Sequence, residues 1–175
     1  EEGRDLPWDG EARGELYFKG PWIANEYYDD PRGEETFVDG WYHSGDIASI
    51  DEYGYIQIGD RVKDMVKSGG EWISSVDLEN AIIAHPGVLE AAVIAVPHPT
   101  WQERPLACVV PNVEYRETLG KAEILDYLRR RFVPWWVPDD VVFLDAIPKT
   151  SVGKFDKKVL RARHEKGELK VEGAS

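Results

Sequence analysis

Residues 74–110 read SSVDLENAIIAHPGVLEAAVIAVPHPTWQERPLACVV, and this stretch decides the fold. Ser74 or Ser75 can cap a helix running to about Ala84, because a serine hydroxyl accepts from an orphan N–H of the first turn. Val76, Leu78, Glu79, Ile82 and Ile83 fall at helical spacings. Pro86-Gly87 ends that helix. Val88–Val96 is a strongly apolar strand candidate and Leu106–Val110 is another. Pro97, His98 and Pro99 begin the loop between them. A helix followed by two apolar strands, without regular βαβ spacing, is an α+β pattern.

Working outward, Thr118 can cap a further helix whose Ile124, Leu128 and Phe132 share one face, with Pro134 as its stop. Val141–Leu144 reads as a short strand, Lys149–Gly153 as a loop, and Asp156 to about Arg163 as a last short helix. Toward the N-terminus, Glu15–Lys19 reads as a strand between glycines, residues 25–40 as irregular surface, and Gly54–Ile58 as an alternating strand. Val62–Lys67 is a strand or turn leading into Ser68-Gly69-Gly70. The expected fold class is α+β: a small mixed or antiparallel sheet with packed helices, preceded by β strands that belong to another domain. Alone, those first strands cannot bury two faces. Their edges want a partner, which makes a homodimer one expectation.

The formal net charge of the 175 residues is −12. Residues 1–60 carry 16 acidic and 4 basic side chains, whereas residues 61–175 carry 17 of each, so a boundary is expected near Asp60-Arg61. This balance argues against nucleic acid, whose phosphates require clustered Lys and Arg. The Arg129-Arg130-Arg131 run falls late in a helix, where cations suit the dipole. The single cysteine, Cys108, excludes an internal disulfide and sits in an apolar strand as a small hydrophobe. No apolar run approaches bilayer length. The acidic start without Met reads as a cut into a longer chain, and it is no signal peptide. Residues 165–175 read as a terminal tail that frays from Gly167.

Three polar clusters can carry chemistry. In Gly40-Trp41-Tyr42-His43-Ser44-Gly45-Asp46, Asp46 follows a glycine in an aromatic-rich turn; it either accepts from a ligand diol or caps the turn. His43 has no ligand partners for a metal. In Asp60 to Glu71, alternating charges suit a solvated face, while Gly69-Gly70 suits close backbone approach to something else. In Pro148 to Lys154, Lys154 beside Gly153 is either a surface lysine or one that reaches a phosphate or a developing anionic oxygen. The spacing does not fit a P-loop, because Phe155 follows the lysine.

These clusters, in this order, resemble the C-terminal part of an AMP-forming acyl-CoA synthetase, of the acyl-adenylate-forming class. Gly14 to Pro21 resembles the "GEL-x-x-x-GP" segment and Gly40 to Asp46 the "GW-x-x-(T/S)GD" segment. Asp60 to Gly70 resembles "DR-x-KD-x-(I/V)K-x-x-G", and Pro148 to Lys154 resembles "(P)KT-x-x-GK". The resemblance covers about Gly14 to Arg163. Gln102 departs from it, since glycine is frequent at that place.

The resemblance implies a division into residues 1–59, the terminal β segment of a large and here incomplete N-terminal adenylation domain; residues 60–166, the hinge and mobile C-terminal domain; and residues 167–175, a flexible tail. It implies that Asp46 binds the ribose hydroxyls of ATP and of the acyl-adenylate, and that Arg61 contacts the ribose or a nearby phosphate. Asp60 would be the hinge. Lys154 would be the catalytic lysine of adenylation, and Gly70 would line the pantetheine tunnel in the thioester step. Lys63 and Asp64 would shape the loop of Lys67 to Glu71. ATP, Mg2+ and CoA are implied, with the Mg2+ ligands outside this chain. Residues 69–75 and 98–105 resemble the medium- and long-chain fatty-acid ligases more than the acetate or aromatic-acid ones. By itself the chain is expected to have little or no activity. The alternatives are adenylation with another acceptor, such as a carrier-protein thiol, or a partner-binding module without catalysis. A cytoplasmic place, or one peripheral to a membrane, is expected.

Overall fold

The computed structural model describes residues 4–31 and 33–169. They form two compact units, one up to Lys63 and the other from Asp64 onward.

The first unit holds strands β1 (Gly14–Phe18), β2 (Phe37–Val38), β3 (Trp41–Ile50) and β4 (Ile56–Arg61), with a one-turn helix α1 (Gly33–Thr36). All pair antiparallel to β3, which faces β1 along 42–48, β2 at 41–42 and β4 at 46–50. The register shifts between Glu15 and Tyr17 and between Ile47 and Ala48, so the ladders of β3 with β1 and with β4 are each irregular. The expectation that Asp46 lies in a turn is corrected, because it sits inside the ten-residue β3. Gly45 looked like turn punctuation, yet its φ of +70° is absorbed within the strand. The expected strand from Gly54 also shifts. Asp51 accepts from the amides of Tyr53 and Tyr55 and Gly54 takes φ +83°, so residues 51–55 form the turn and β4 runs on to Arg61.

The second unit holds β5 (Val66–Ser68), β6 (Glu71–Ile73), α2 (Ser75–Ile83), β7 (Val88–His98), β8 (Gln102–Pro111), α3 (Lys121–Arg129), β9 (Asp140–Phe143) and α4 (Lys157–Glu165). The sheet order is β6-β5-β8-β7, and β9 adds parallel to β8 at 106–109. Side chains alternate along every central strand. Val93, Val109 and Val141 point to one face with Leu78, Ile82, Ile124 and Leu128 of α2 and α3. Ile94, Leu106, Cys108 and Val142 point to the other with Leu160 of α4. The sheet is therefore covered on both faces, which is why β7 and β8 read as unbroken apolar runs.

Several boundaries differ from expectation, and β8 starts at Gln102 instead of Leu106. β7 runs through Pro97 to His98 instead of stopping at Val96. It lies at the edge of the sheet, where a missing N–H costs no ladder bond. Thr118 does not cap α3: Gly120 stands at its N-cap without a side-chain bond, and Thr118 turns to the carbonyl of Tyr115. The chain makes an extra turn there, Leu119 N–H bonding the Tyr115 carbonyl, and so buries Leu119. Ser74, by contrast, caps α2 by accepting from the Asp77 amide at 3.1 Å, and Asp156 caps α4 through Val159. Leu169 is buried in the second cluster, and the rest of the expected tail, 170–175, lies outside the described residues. No helix of the described residues is long and apolar enough to cross a membrane.

Candidate functional site

Pairing of β3 with β4 places Asp46 opposite Arg61. The Arg61 Nε reaches Asp46 Oδ1 at 3.0 Å, with the carboxylate side chain about one-fifth exposed and the guanidinium more than half exposed. Ser44 fixes the strand here: its hydroxyl donates to the Leu16 carbonyl at 2.8 Å and accepts from the Asp46 amide at 3.1 Å. Val62 N–H bonds the Gly45 carbonyl, closing the far side. A carboxylate held this way, beside a guanidinium open to solvent, can accept from a diol while the cation meets an anionic oxygen. Tyr42 stands nearby. Its phenol is held above its ordinary pKa, first by the hydrogen bond with the Tyr27 hydroxyl and then by burial. His43 stacks on Tyr17 with ring centroids 3.8 Å apart.

Asp60 is buried, and its Oδ1 accepts from the Arg61 amide at 2.7 Å. It lies three residues before the first unit ends at Lys63. Just beyond that boundary, Asp64 pairs with Arg161 of α4 at 3.0 Å.

In the second unit, Gly69 and Gly70 are the two-residue turn of the β5–β6 hairpin, with φ of +60° and +89°. Positive φ at both central residues is the hairpin turn that matches strand twist, and glycine enters it without strain. The two glycines differ in surroundings. A Cβ on Gly69 would lie 2.9 Å from the Trp101 ring, whereas one on Gly70 would meet nothing within 4 Å. Gly70 is thus the open side of the turn.

Lys154 stands on a separate turn. Thr150 N–H bonds the Lys154 carbonyl at 2.7 Å, Gly153 N–H bonds the Thr150 carbonyl, and Gly153 takes φ +82°. Lys149 bridges to Phe155 across the turn. The two lysines of this segment have different fates. Lys149 is paired with Glu90, while the exposed Lys154 ammonium has no partner among the described residues. The structure thus brings Asp46 and Arg61 together in the first unit, and sets Gly70 and Lys154 on two turns of the second.

Ser44 positions Asp46, a role that its residue type alone does not announce. Its signal is a hydroxyl two residues before a carboxylate in a strand. Among the described residues no group of three or more His, Cys, Asp or Glu side chains could hold a metal ion.

Residues 77–154 match the AMP-binding enzyme C-terminal domain family. The chain carries an AMP-binding enzyme C-terminal domain. That domain and the strands before it are 53% identical over 166 residues to a long-chain-fatty-acid–CoA ligase of Thermus thermophilus, covering 94% of this chain and 30% of that protein. They are 47% identical to a 3-methylmercaptopropionyl-CoA ligase of Ruegeria lacuscaerulensis, covering 92% of this chain and 29% of that one. Among solved structures, ATP-bound MatB from Rhodopseudomonas palustris is similar with a TM-score of 0.84 and 35% identity, over 94% of this chain and 32% of that one. The chain spans about 30% of the length of the curated relatives it matches. The match ends on Lys154 and begins seven residues after Gly70, so it takes in the Lys154 turn and leaves the Gly69-Gly70 turn just before it.

Proposed function

We propose that the full-length protein carrying this chain is an ATP-dependent, AMP-forming ligase that joins a medium- or long-chain fatty acid to CoA. In the first step a carboxylate oxygen attacks the α-phosphorus of ATP, and the bond to pyrophosphate breaks. In the second, the CoA thiolate attacks the acyl carbonyl, and the acyl–oxygen bond breaks to release AMP. Asp46 holds the ribose hydroxyls, and Arg61 steadies that carboxylate and meets the ribose or a phosphate. Asp60 is the hinge. Lys154 offsets the charge that develops on the carboxylate and α-phosphate oxygens, a task suited to a compact, mobile cation. Gly70 leaves room for the pantetheine arm. Mg2+ would be held outside this chain.

The observation that carries this reading is the contrast between the two lysines of one motif. Lys149 is neutralised by Glu90, and the Lys154 ammonium, on a glycine turn, has no partner among the described residues. Support for a fatty acid comes from the Thermus relative, whose name gives long-chain fatty acids. A short sulfur-containing acid is the second reading, favoured by the Ruegeria relative.

The test is acid-dependent pyrophosphate release by the full-length protein, wild type against Lys154→Ala, across acids from C2 to C18 and 3-methylmercaptopropionate. Adenylation is expected to fall at least a hundredfold in the variant, with thioester formation from preformed acyl-adenylate retained. Normal adenylation by Lys154→Ala would overturn the lysine's role. Activity confined to short acids would leave the chemistry standing and replace the substrate.

A further inference from the structure

The β5–β6 hairpin that ends in Gly70 is too small to hold its own shape. β5 has three residues, and its pairing with β8 consists of Ser68 against Gln102 alone. A two-stranded hairpin of this length is marginal without further support. That support comes from four consecutive residues at the start of β8 and the turn before it. The Trp101 carbonyl accepts from the Gly69 amide at 2.9 Å, and its ring closes over the Gly69 Cα. Gln102 pairs with Ser68. Glu103 Oε2 accepts from the Lys67 amide at 2.8 Å. Arg104 Nη1 donates to the Ser68 hydroxyl at 3.1 Å.

Arg104 is itself fixed. It is 8% exposed, and its other donors go to the Trp135 carbonyl at 2.6 Å, the Val137 carbonyl at 2.9 Å and Asp139 Oδ1 at 2.8 and 2.9 Å. All five guanidinium N–H directions are used, which locks the side chain in one geometry. Lys67, Ser68 and Gly69 are thus each held by a different group, and Gly70 alone is left open.

We propose that Glu103 and Arg104 are positioning residues for the acyl-transfer step: they template the Lys67–Gly70 turn so that Gly70 is presented to the thiol-bearing substrate in one fixed shape. This rests on the function proposed above. Bonded to the β7–β8 hairpin through residues 101–104, the turn is formed before substrate arrives and no ordering cost falls on the transfer step.

The test uses the full-length protein with octanoyl-adenylate and CoA. Glu103→Ala removes the acceptor of the Lys67 amide, and Glu103→Gln keeps an amide oxygen that can accept the same bond. Arg104→Lys keeps the charge and loses the fork. Thioester formation from octanoyl-adenylate is expected to fall about tenfold in Glu103→Ala and Arg104→Lys, to return within about twofold of wild type in Glu103→Gln, and octanoate-dependent pyrophosphate release is expected to stay within about twofold throughout. Amide exchange at Lys67 and Gly69 is expected to rise about tenfold in Glu103→Ala at an unchanged melting temperature. Transfer within twofold of wild type in Glu103→Ala, an equal fall in both half-reactions, or unchanged exchange would each overturn the proposal. If exchange rises but the wild type forms no thioester, the clamp stands, and the positioning role falls together with the proposed function.

Discussion

The first unit buries two apolar side chains among its described residues, Leu16 and Ala48, and leaves Trp22, Tyr28, Tyr53, Tyr55 and Ile58 largely exposed. The second buries a cluster on each face of its sheet. Both are built on antiparallel strands, so strand pairing is not what separates them. The difference is cover. A sheet that lacks a layer against its face gains its ladder hydrogen bonds and little of the hydrophobic term that stabilises domains. In the first unit the fixed contacts are local ones, the bulges, Ser44 and the Asp46–Arg61 pair, whereas α2, α3 and α4 cover the sheet of the second. The candidate residues follow the same division. Asp46 is placed by strand register. Gly70 and Lys154 stand on turns, as binding groups do when a packed scaffold fixes their base.

Cutting the packing on each side gives the largest contrast. Leu160→Ala empties a fully buried position between α4 and the sheet, and is expected to cost about 2–5 kcal/mol in urea unfolding of the second unit. Ile58→Ala in the first unit is expected to change stability by no more than about 0.5 kcal/mol. A large loss at Ile58 would break the comparison.

Cys108 sharpens it through pH. Burial, and then the charge of Glu79, pushes its thiol from the ordinary 9.0 up to about 12. The unfolded thiol ionises near pH 9 while the folded one stays neutral. The contribution is therefore intact below pH 9 and is lost as pH rises toward 12, by about 1.4 kcal/mol per unit. The stability difference between wild type and Cys108→Ala should be constant below pH 9 and shift against the wild type above it, and the folded thiol should resist alkylation at pH 8. Rapid labelling of the folded protein would show that the second face of the sheet is not sealed.

The smallest effect concerns the turn after β7. Gln102 takes a φ of +69°, a left-handed conformation that disfavours side chains. Gln102→Gly is expected to stabilise the second unit by about 1 kcal/mol in thermal unfolding. This also gives a reason why glycine is frequent at that place in the family that the sequence resembles.

Much of the second unit is legible in the sequence. The Ser74 cap, the Pro86-Gly87 stop and the helical spacing of Leu78 and Ile82 are local signals, and local chemistry honours them. Pro97 misled, because its cost depends on whether β7 is an edge strand, and edge position is a property of the sheet. Thr118 misled because burial of Leu119 outweighed a capping bond worth about 1 kcal/mol. Asp46 misled because Gly45-Asp46 carries turn chemistry, yet pairing of Asp46 with Arg61 and the Val62 bond to the Gly45 carbonyl hold both residues in a strand.

By itself, the sequence determined the α+β class, the charge division, the order of the polar segments and the choice of Asp46, Arg61, Gly70 and Lys154 as candidates. The first three depend on residue type and short spacing, and the choice of candidates on the resemblance that those segments carry. Tertiary structure decided which partners those residues keep: Asp46 against Arg61, Lys149 neutralised by Glu90 with Lys154 left out, and Lys67 to Gly69 gripped by residues 101–104. Those choices are made between residues as far as 59 positions apart in the chain. Such pairs are set by sheet register and by which faces the helices cover, and no local pattern encodes them.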